Sequence, residues 1–305
     1  MLLYTHQRCL EHQMQPRHPE SPDRLRAVLD HLERGGLMQS MTVRDATPVS
    51  EARLARVHDA GYLATLARLS PASGLAAVDA DTHLCPKTLE AAALAAGAVA
   101  DAVDAVLDGT ARRAFCAVRP PGHHAEADMA MGFCFYNNVA VGAAVALERA
   151  DIERVAVLDF DVHHGNGTVD IFKDDPRVLV CSSFQHPFYP NRGYDVRRPN
   201  LVHTPLPAGC GSAAFRQAIE QDWRPALERH RPQLILVSAG FDAHRLDPLG
   251  GLGLTEEDFR WVTRLIVDAA AATAGGRVVS TLEGGYDLTA LAASVAAHLE
   301  VLAAE

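Results

Sequence analysis

Six short runs, apolar and rich in β-branched residues, set the terms on which this chain can fold: Leu2–Tyr4, Ala114–Val118, Val155–Asp159, Val178–Cys181, Leu234–Val237 and Val278–Leu282. They are nearly continuous rather than alternating, which is the pattern of parallel strands buried on both faces. Helical patterns lie between most of them, at Leu25–Leu32, Thr88–Leu107, Asn138–Glu148, Ala213–Glu228, Glu256–Ala272 and Leu291–Leu302. Ser21-Pro22-Asp23-Arg24 is a capping-type helix start, and Thr255-Glu256-Glu257-Asp258 sets acids at the positive end of a helix dipole. Strands alternating with helices predict one doubly wound α/β sheet. No linker rich in Pro, Gly or Ser divides the chain and no internal repeat is present. Residues 1–305 are therefore expected to form a single domain.

Composition narrows function by exclusion. Lys and Arg number 28 against 38 Asp and Glu, a formal net charge of -10. That argues against a protein that grips phosphate backbones with a basic face, so no direct nucleic-acid binding is expected. No apolar stretch of about 18 residues is present, and Met1–Leu10 lacks a basic start followed by a long apolar run. Neither a membrane span nor a secretory signal is expected. The six cysteines form no C-x-x-C pair and read as reduced thiols of a cytoplasmic protein.

Four of the 15 histidines form two adjacent pairs, His123-His124 and His163-His164. In an open parallel sheet, ligands bind beyond the carboxyl ends of the strands. Ala114–Val118 is followed by Arg119-Pro120-Pro121-Gly122-His123-His124. Val155–Leu158 is followed by Asp159-Phe160-Asp161-Val162-His163-His164-Gly165-Asn166-Gly167. Leu234–Val237 leads into Ser238-Ala239-Gly240-Phe241-Asp242-Ala243-His244, and Val278–Leu282 into Glu283-Gly284-Gly285-Tyr286. Asp161 and His163 would point to one side of an extended backbone. With Asp242 they offer three N/O ligands and an open position for an activated water, the pattern of a catalytic zinc site. Iron or cobalt could also be held by such a set. His123 and His124 read as an acid/base pair, with Asp159 a candidate partner for His123 and Asn166 for His124. Tyr286 is either a donor to a developing oxyanion or a tyrosine packed at a strand end.

The motifs RPPGHHA, GFCFYNN, DFDVHHGNGT, SAGFDAHRLDPLGG and LEGGYDL resemble those of the zinc-dependent histone deacetylase family, class II type, over residues 19–297. The resemblance implies an arginase/deacetylase fold with a central parallel sheet flanked by helices, forming one deacetylase catalytic domain. It implies hydrolysis of an N-ε-acyl-lysine amide, with one zinc ion held by Asp161, His163 and Asp242. His124 would be the general base and then the acid, oriented by Asn166. His123, paired with Asp159, would be its electrostatic partner. Tyr286 would polarise the carbonyl and hold the oxyanion. Gly132, Phe133 and Tyr189 would line a narrow acyl-lysine tunnel with Leu249 at its rim. A potassium ion would take its ligands from Asp159, Asp161, His163, Ser182 and Ser183, although CSSFQHPFYP departs from the commoner S-x-H. Asn166 stands where some relatives carry Asp, and an amide should raise the basicity of His124 less than a carboxylate would. Tyr286 stands where feebly active relatives carry His.

The same family divides over substrate. Polyamine-selective class II relatives carry Glu where Leu249 stands, so an apolar rim favours acyl-lysine in a peptide or protein, and the net charge would draw basic substrates. The rival readings are an acetylpolyamine or small-amide amidohydrolase, a non-catalytic acyl-lysine binder, and a two-manganese ureohydrolase that would need further bridging carboxylates. Arg24 reads either as a neighbour of an inner product channel or as a surface helix residue. No residue pattern specifies an oligomeric state.

Overall fold

Apolar runs that must be covered on both faces dictate the architecture, and the computed structural model, which describes residues 1–304, shows how. The chain opens with β1 (Leu2–Thr5), α1 (Pro22–Arg34), β2 (Thr42–Asp45), the short helices α2 (Glu51–Leu54) and α3 (Ala60–Leu69), and a small hairpin of β3 (Ala76–Ala77) and β4 (His83–Leu84). There follow α4 (Thr88–Leu107), β5 (Arg113–Cys116), α5 (Asn138–Ala146), β6 (Val155–Asp159), α6 (Asn166–Phe172), β7 (Val178–Gln185) and β8 (Leu201–Leu206). Then come α7 (Ser212–His230), β9 (Leu234–Ala239), α8 (Glu256–Thr273), β10 (Val278–Leu282) and α9 (Leu288–Ala303).

Eight strands pair in parallel in the order β2-β1-β5-β10-β9-β6-β7-β8. All six expected runs are strands of this sheet, and β6, β9 and β10 are buried along their whole length. Two further members, β2 and β8, carry no such signal because they are the edges. Every residue of β2 is exposed, and β8 contains Pro205, which an edge strand tolerates because one side needs no N–H donor. Helices cover the sheet in two groups, α4 with α5, and a row of α1, α9, α8 and α7. The Ala-rich stretch is α4, where small side chains let it bury fourteen of its 20 residues against α5 and the strands. At the start of α8 the acids do occupy the first turn, and the Asp258 carboxylate also accepts the Thr255 N–H at 3.0 Å. The entry to α1 relies on Pro22 at its first position, since the Ser21 side chain makes no capping hydrogen bond.

The connectivity is what creates a site. After β5 the chain crosses to β6, builds outward through β7 and β8, then returns to lay β9 and β10 between β5 and β6. The four strands that end in His, Asp and Tyr motifs are thus consecutive neighbours, β5-β10-β9-β6. A buried charge network braces their rim. The Arg119 guanidinium forks onto Glu20 with two 2.7 Å hydrogen bonds and donates to the carbonyls of Cys9 and His12. Burial opposes ionisation of Glu20, but Arg119 outweighs it and holds the carboxyl well below its ordinary range. Among the described residues no helix is long and apolar enough to cross a membrane.

Candidate active site

Strand β6 ends at Asp159, and Asp161, Val162 and His163 form a bend rather than a continuation of the strand. The shared direction of Asp161 and His163 therefore arises from a loop, not from strand alternation. Their ligand atoms and that of Asp242, delivered by the end of β9, lie within 4.8 Å of one another, and all three residues are buried. His163 Nδ1 sits 3.0 Å from Asp161 Oδ1 and 3.2 Å from Asp242 Oδ2. Backbone amides aim the carboxylates: Gly284 N–H donates to Asp161 Oδ2 at 2.9 Å, and Val162 N–H to Asp242 Oδ1 at 2.9 Å. This approach needs glycine, since a Cβ on Gly240 or Gly284 would collide with these carboxylates.

The donor set fits a divalent cation. Asp242 Oδ2 is fully buried with no hydrogen-bond partner among the described residues, a state that costs free energy unless a cation satisfies it. Burial and the neighbouring Asp161 carboxylate push the Asp242 carboxyl up to about 7. Burial would lower the His163 imidazole, but its hydrogen bond to Asp161 and the Asp242 carboxylate 3.2 Å away raise it to about 10. Both shifts report one field that favours positive charge between the two carboxylates. One imidazole nitrogen and two carboxylate oxygens suit zinc and related divalent ions.

The other histidine pair stands beside this cluster with its rings 4.0 Å apart. His123 Nδ1 is 2.9 Å from Asp159 Oδ2, and His124 Nδ1 is 2.7 Å from Asn166 Oδ1. Burial would neutralise His123, but the Asp159 and Asp161 carboxylates prevail and hold it well above its ordinary value. For His124, burial and the neighbouring His123 and His163 act together and push it well below. One ring is thus kept charged and the next kept neutral. Beneath them, Glu283 accepts the Gly122 and His123 N–H groups at 2.7 and 3.1 Å and fixes the turn.

Tyr286, from the end of β10, faces the same cavity. Its N–H donates to Asp247 Oδ2 at 2.6 Å, and the Arg24 guanidinium lies 4.8 Å from the ring centroid. Burial raises the phenol well above its ordinary value despite Arg24, so it stays protonated. Arg24 is completely buried and donates to the Gly285 and Glu283 carbonyls. Its reading as a surface residue is overturned.

These groups open into a cavity of about 270 Å³ lined by Asp81, His124, Gly132, Phe133, His163, Phe188, Tyr189, Pro248, Leu249 and Tyr286. Gly132, Phe133, Tyr189 and Leu249 are therefore together, as expected. Phe133 and Tyr286 meet edge to face at 5.9 Å, and Phe188 stacks on His163 at 5.4 Å. Phe133 holds φ at +69°, which costs a non-glycine residue about 1–3 kcal/mol. Its N–H donates to Thr82 Oγ1 at 3.1 Å. Ser182 pairs in register with Asp159, and its hydroxyl accepts the Gly165 N–H at 3.3 Å. Ser183, next along β7, presents its side chain to the opposite face of the strand. His164 turns away from the cluster and meets His203 at 3.0 Å.

Sequence reasoning missed Phe188, Asp81, Glu126, Arg192 and Glu283. Phe188 and Asp81 are in loops whose approach to β5 and β6 no local pattern announces. Asp81 also corrects the expectation that Leu249 leaves the cavity apolar, because it adds a carboxylate to the same lining.

Comparison with known proteins places the chain in a family. The histone deacetylase domain family matches residues 18–302. The histone deacetylase-like amidohydrolase of Pseudomonas aeruginosa is 44% identical over 276 residues, covering 88% of this chain and 72% of that protein. The polyamine deacetylase HDAC10 of Mus musculus is 37% identical over 306 residues, covering 93% of this chain and 44% of that protein. The crystal structure of the HDA15 HD domain matches with a TM-score of 0.93 at 33% identity, covering 99% of this chain and 87% of that one. The chain belongs to the histone deacetylase family and is a hydrolase of that family's amidohydrolase type.

Proposed function

We propose that residues 1–305 act as one catalytic domain that hydrolyses the amide of N-ε-acyl-lysine in a peptide or protein, with zinc held by Asp161, His163 and Asp242. The observation that carries this reading is the buried donor set of Asp161, His163 and Asp242, whose His163 lines one aromatic cavity with His124 and Tyr286. When bound, the zinc ion supplies Lewis acidity that makes a water more acidic and polarises a substrate carbonyl. His124, neutral and with Nδ1 directed at Asn166, presents Nε2 to take the proton of the attacking water. The same nitrogen then returns a proton to the departing lysine amine, which otherwise leaves poorly. His123, kept cationic by Asp159, stabilises negative charge as it develops. The Tyr286 hydroxyl donates to the oxyanion.

Phe133, Phe188 and Tyr189 suit the apolar four-carbon stem of an acyl-lysine and exclude water from around it. A potassium ion held by Asp159, Asp161, His163, Ser182 and Ser183 belongs to the same proposal. A cytoplasmic, reducing location does too, supported by six free cysteines that are all buried.

A second reading, acetylpolyamine hydrolysis, is favoured by one observation, the Asp81 carboxylate in the cavity lining. A distal ammonium of a polyamine would be attracted there, whereas Leu249 offers it nothing. Turnover of an acetyl-lysine peptide and of acetylspermidine by zinc-loaded protein separates the two. The acyl-lysine reading expects kcat/KM for the peptide to be at least about tenfold higher, a difference of about 1.4 kcal/mol in transition-state binding. A tenfold preference for acetylspermidine would replace it with the second reading.

A further inference from the structure

An asparagine amide can present either of its ends. Only its oxygen can accept the Nδ1 proton of His124, and only that pairing leaves the Nε2 lone pair facing the cavity. If Asn166 turned over, its NH₂ would meet Nδ1, the ring would carry its proton on Nε2, and His124 could not accept another from water. Something must hold the amide one way round. Every neighbour of Asn166 Nδ2 that the structure shows is an acceptor: Glu126 Oε1 at 2.7 Å, the His124 carbonyl at 3.3 Å and Met131 Sδ at 3.3 Å. The Glu126 contact is the shortest and the only one that carries charge. Its other carboxylate oxygen accepts from Arg192 at 2.9 Å, and its side chain is only 7% exposed. Burial raises the Glu126 carboxyl, while its bonds to the Asn166 amide and the Arg192 guanidinium favour the ionised form, in which the oxygen that faces Asn166 can only accept. Arg192 itself belongs to the loop that carries Phe188 and Tyr189.

We infer that Glu126 is a positioning residue for proton transfer: through Asn166 it fixes the tautomer and the aim of His124, and it is held in place by an arginine of the cavity-wall loop. The inference rests on the assignment of His124 as proton acceptor. A flipped amide would point its carbonyl oxygen at the Glu126 carboxylate, so the charge penalises the wrong orientation as well as rewarding the right one. The carboxylate that would polarise the imidazole directly from the Asn166 position is thus supplied one residue further out.

The test is a double-mutant cycle on zinc-loaded protein with an acetyl-lysine peptide. Glu126→Ala is expected to lower kcat about 10–100-fold with unchanged zinc content, and to change KM by less than about twofold. In an Asn166→Asp background no amide needs orienting, and Glu126 faces a second carboxylate. There Glu126→Ala should leave kcat unchanged or raise it. A role confined to holding the fold predicts the same loss in both backgrounds. Equal losses, or a loss confined to KM, overturn the inference. If the alanine variant does not fold, Glu126→Gln keeps the shape, and its smaller loss of kcat should vanish in the same background. Nitrogen NMR shifts of the His124 ring give a readout that needs no turnover. They should report the Nδ1-protonated tautomer in the wild type and a mixture in Glu126→Ala. An unchanged tautomer in that variant rejects the inference, whereas inactivity of the wild type with the expected tautomer change rejects only the functional reading.

Discussion

Asp242→Ala is expected to strip the site of its metal and turnover with it. Asp242 Oδ2 is buried with no hydrogen-bond partner among the described residues, and it lies 3.2 Å from His163 Nδ1. Without it, one nitrogen and one carboxylate remain, fewer than the three protein ligands a catalytic zinc site uses. Metal analysis should fall from about one ion per chain to near zero, and activity should fall below detection. Asp242→Asn keeps the shape and an oxygen for the Val162 N–H but removes the charge, so it should retain metal only at high concentration. Full zinc occupancy in Asp242→Ala would refute the ligand set.

The second large effect falls on chemistry alone. Tyr286→Phe should bind zinc like the wild type and lose about 10²–10³-fold in kcat, the usual cost of removing one oxyanion donor. The ring does not depend on its hydroxyl for placement. Its backbone N–H is tied to Asp247, the Arg24 guanidinium lies over one face, and Phe133 meets it edge to face. Only a proton donor is lost, one that burial keeps protonated across the working pH range. Steady-state kinetics should show the loss in kcat with KM little changed, and near-normal kcat would overturn the role.

How far the sequence reached follows from where each kind of information resides. The interior strands were legible because burial on both faces forces a continuous apolar run, and Val155–Asp159 and Val278–Leu282 fall where that pattern puts them. The edges β2 and β8 were not, because Thr42–Asp45 is wholly exposed and Leu201–Leu206 is interrupted by a proline. Strand order was also out of reach: nothing local says that β9 and β10 return between β5 and β6. The candidate site fared better because its residues sit directly after the legible strands, where an α/β sheet gathers ligands. Asp161, His163 and Asp242 meet as expected, and the pairings of His123 with Asp159 and His124 with Asn166 are present.

What escaped was everything that acts through a neighbour. Glu126 looks like any loop acid until β5 and α6 bring it against Asn166. Glu283 looks like the polar end of a strand until it accepts the backbone of the histidine turn. Arg24 could be read from sequence as a helix-surface residue, yet its charge meets the Glu20 carboxylate, two carbonyls and an aromatic ring in the interior. Such roles depend on long-range contacts that a one-dimensional pattern does not encode.

The account stands or falls on metal-dependent amide hydrolysis at the Asp161, His163 and Asp242 cluster. The most direct measurement is a zinc titration of chelator-stripped protein while release of acetate from an acetyl-lysine peptide is followed. The stripped protein should be inactive, and activity should rise in proportion to added zinc and saturate at about one ion per chain. Turnover that survives complete removal of the metal would contradict it.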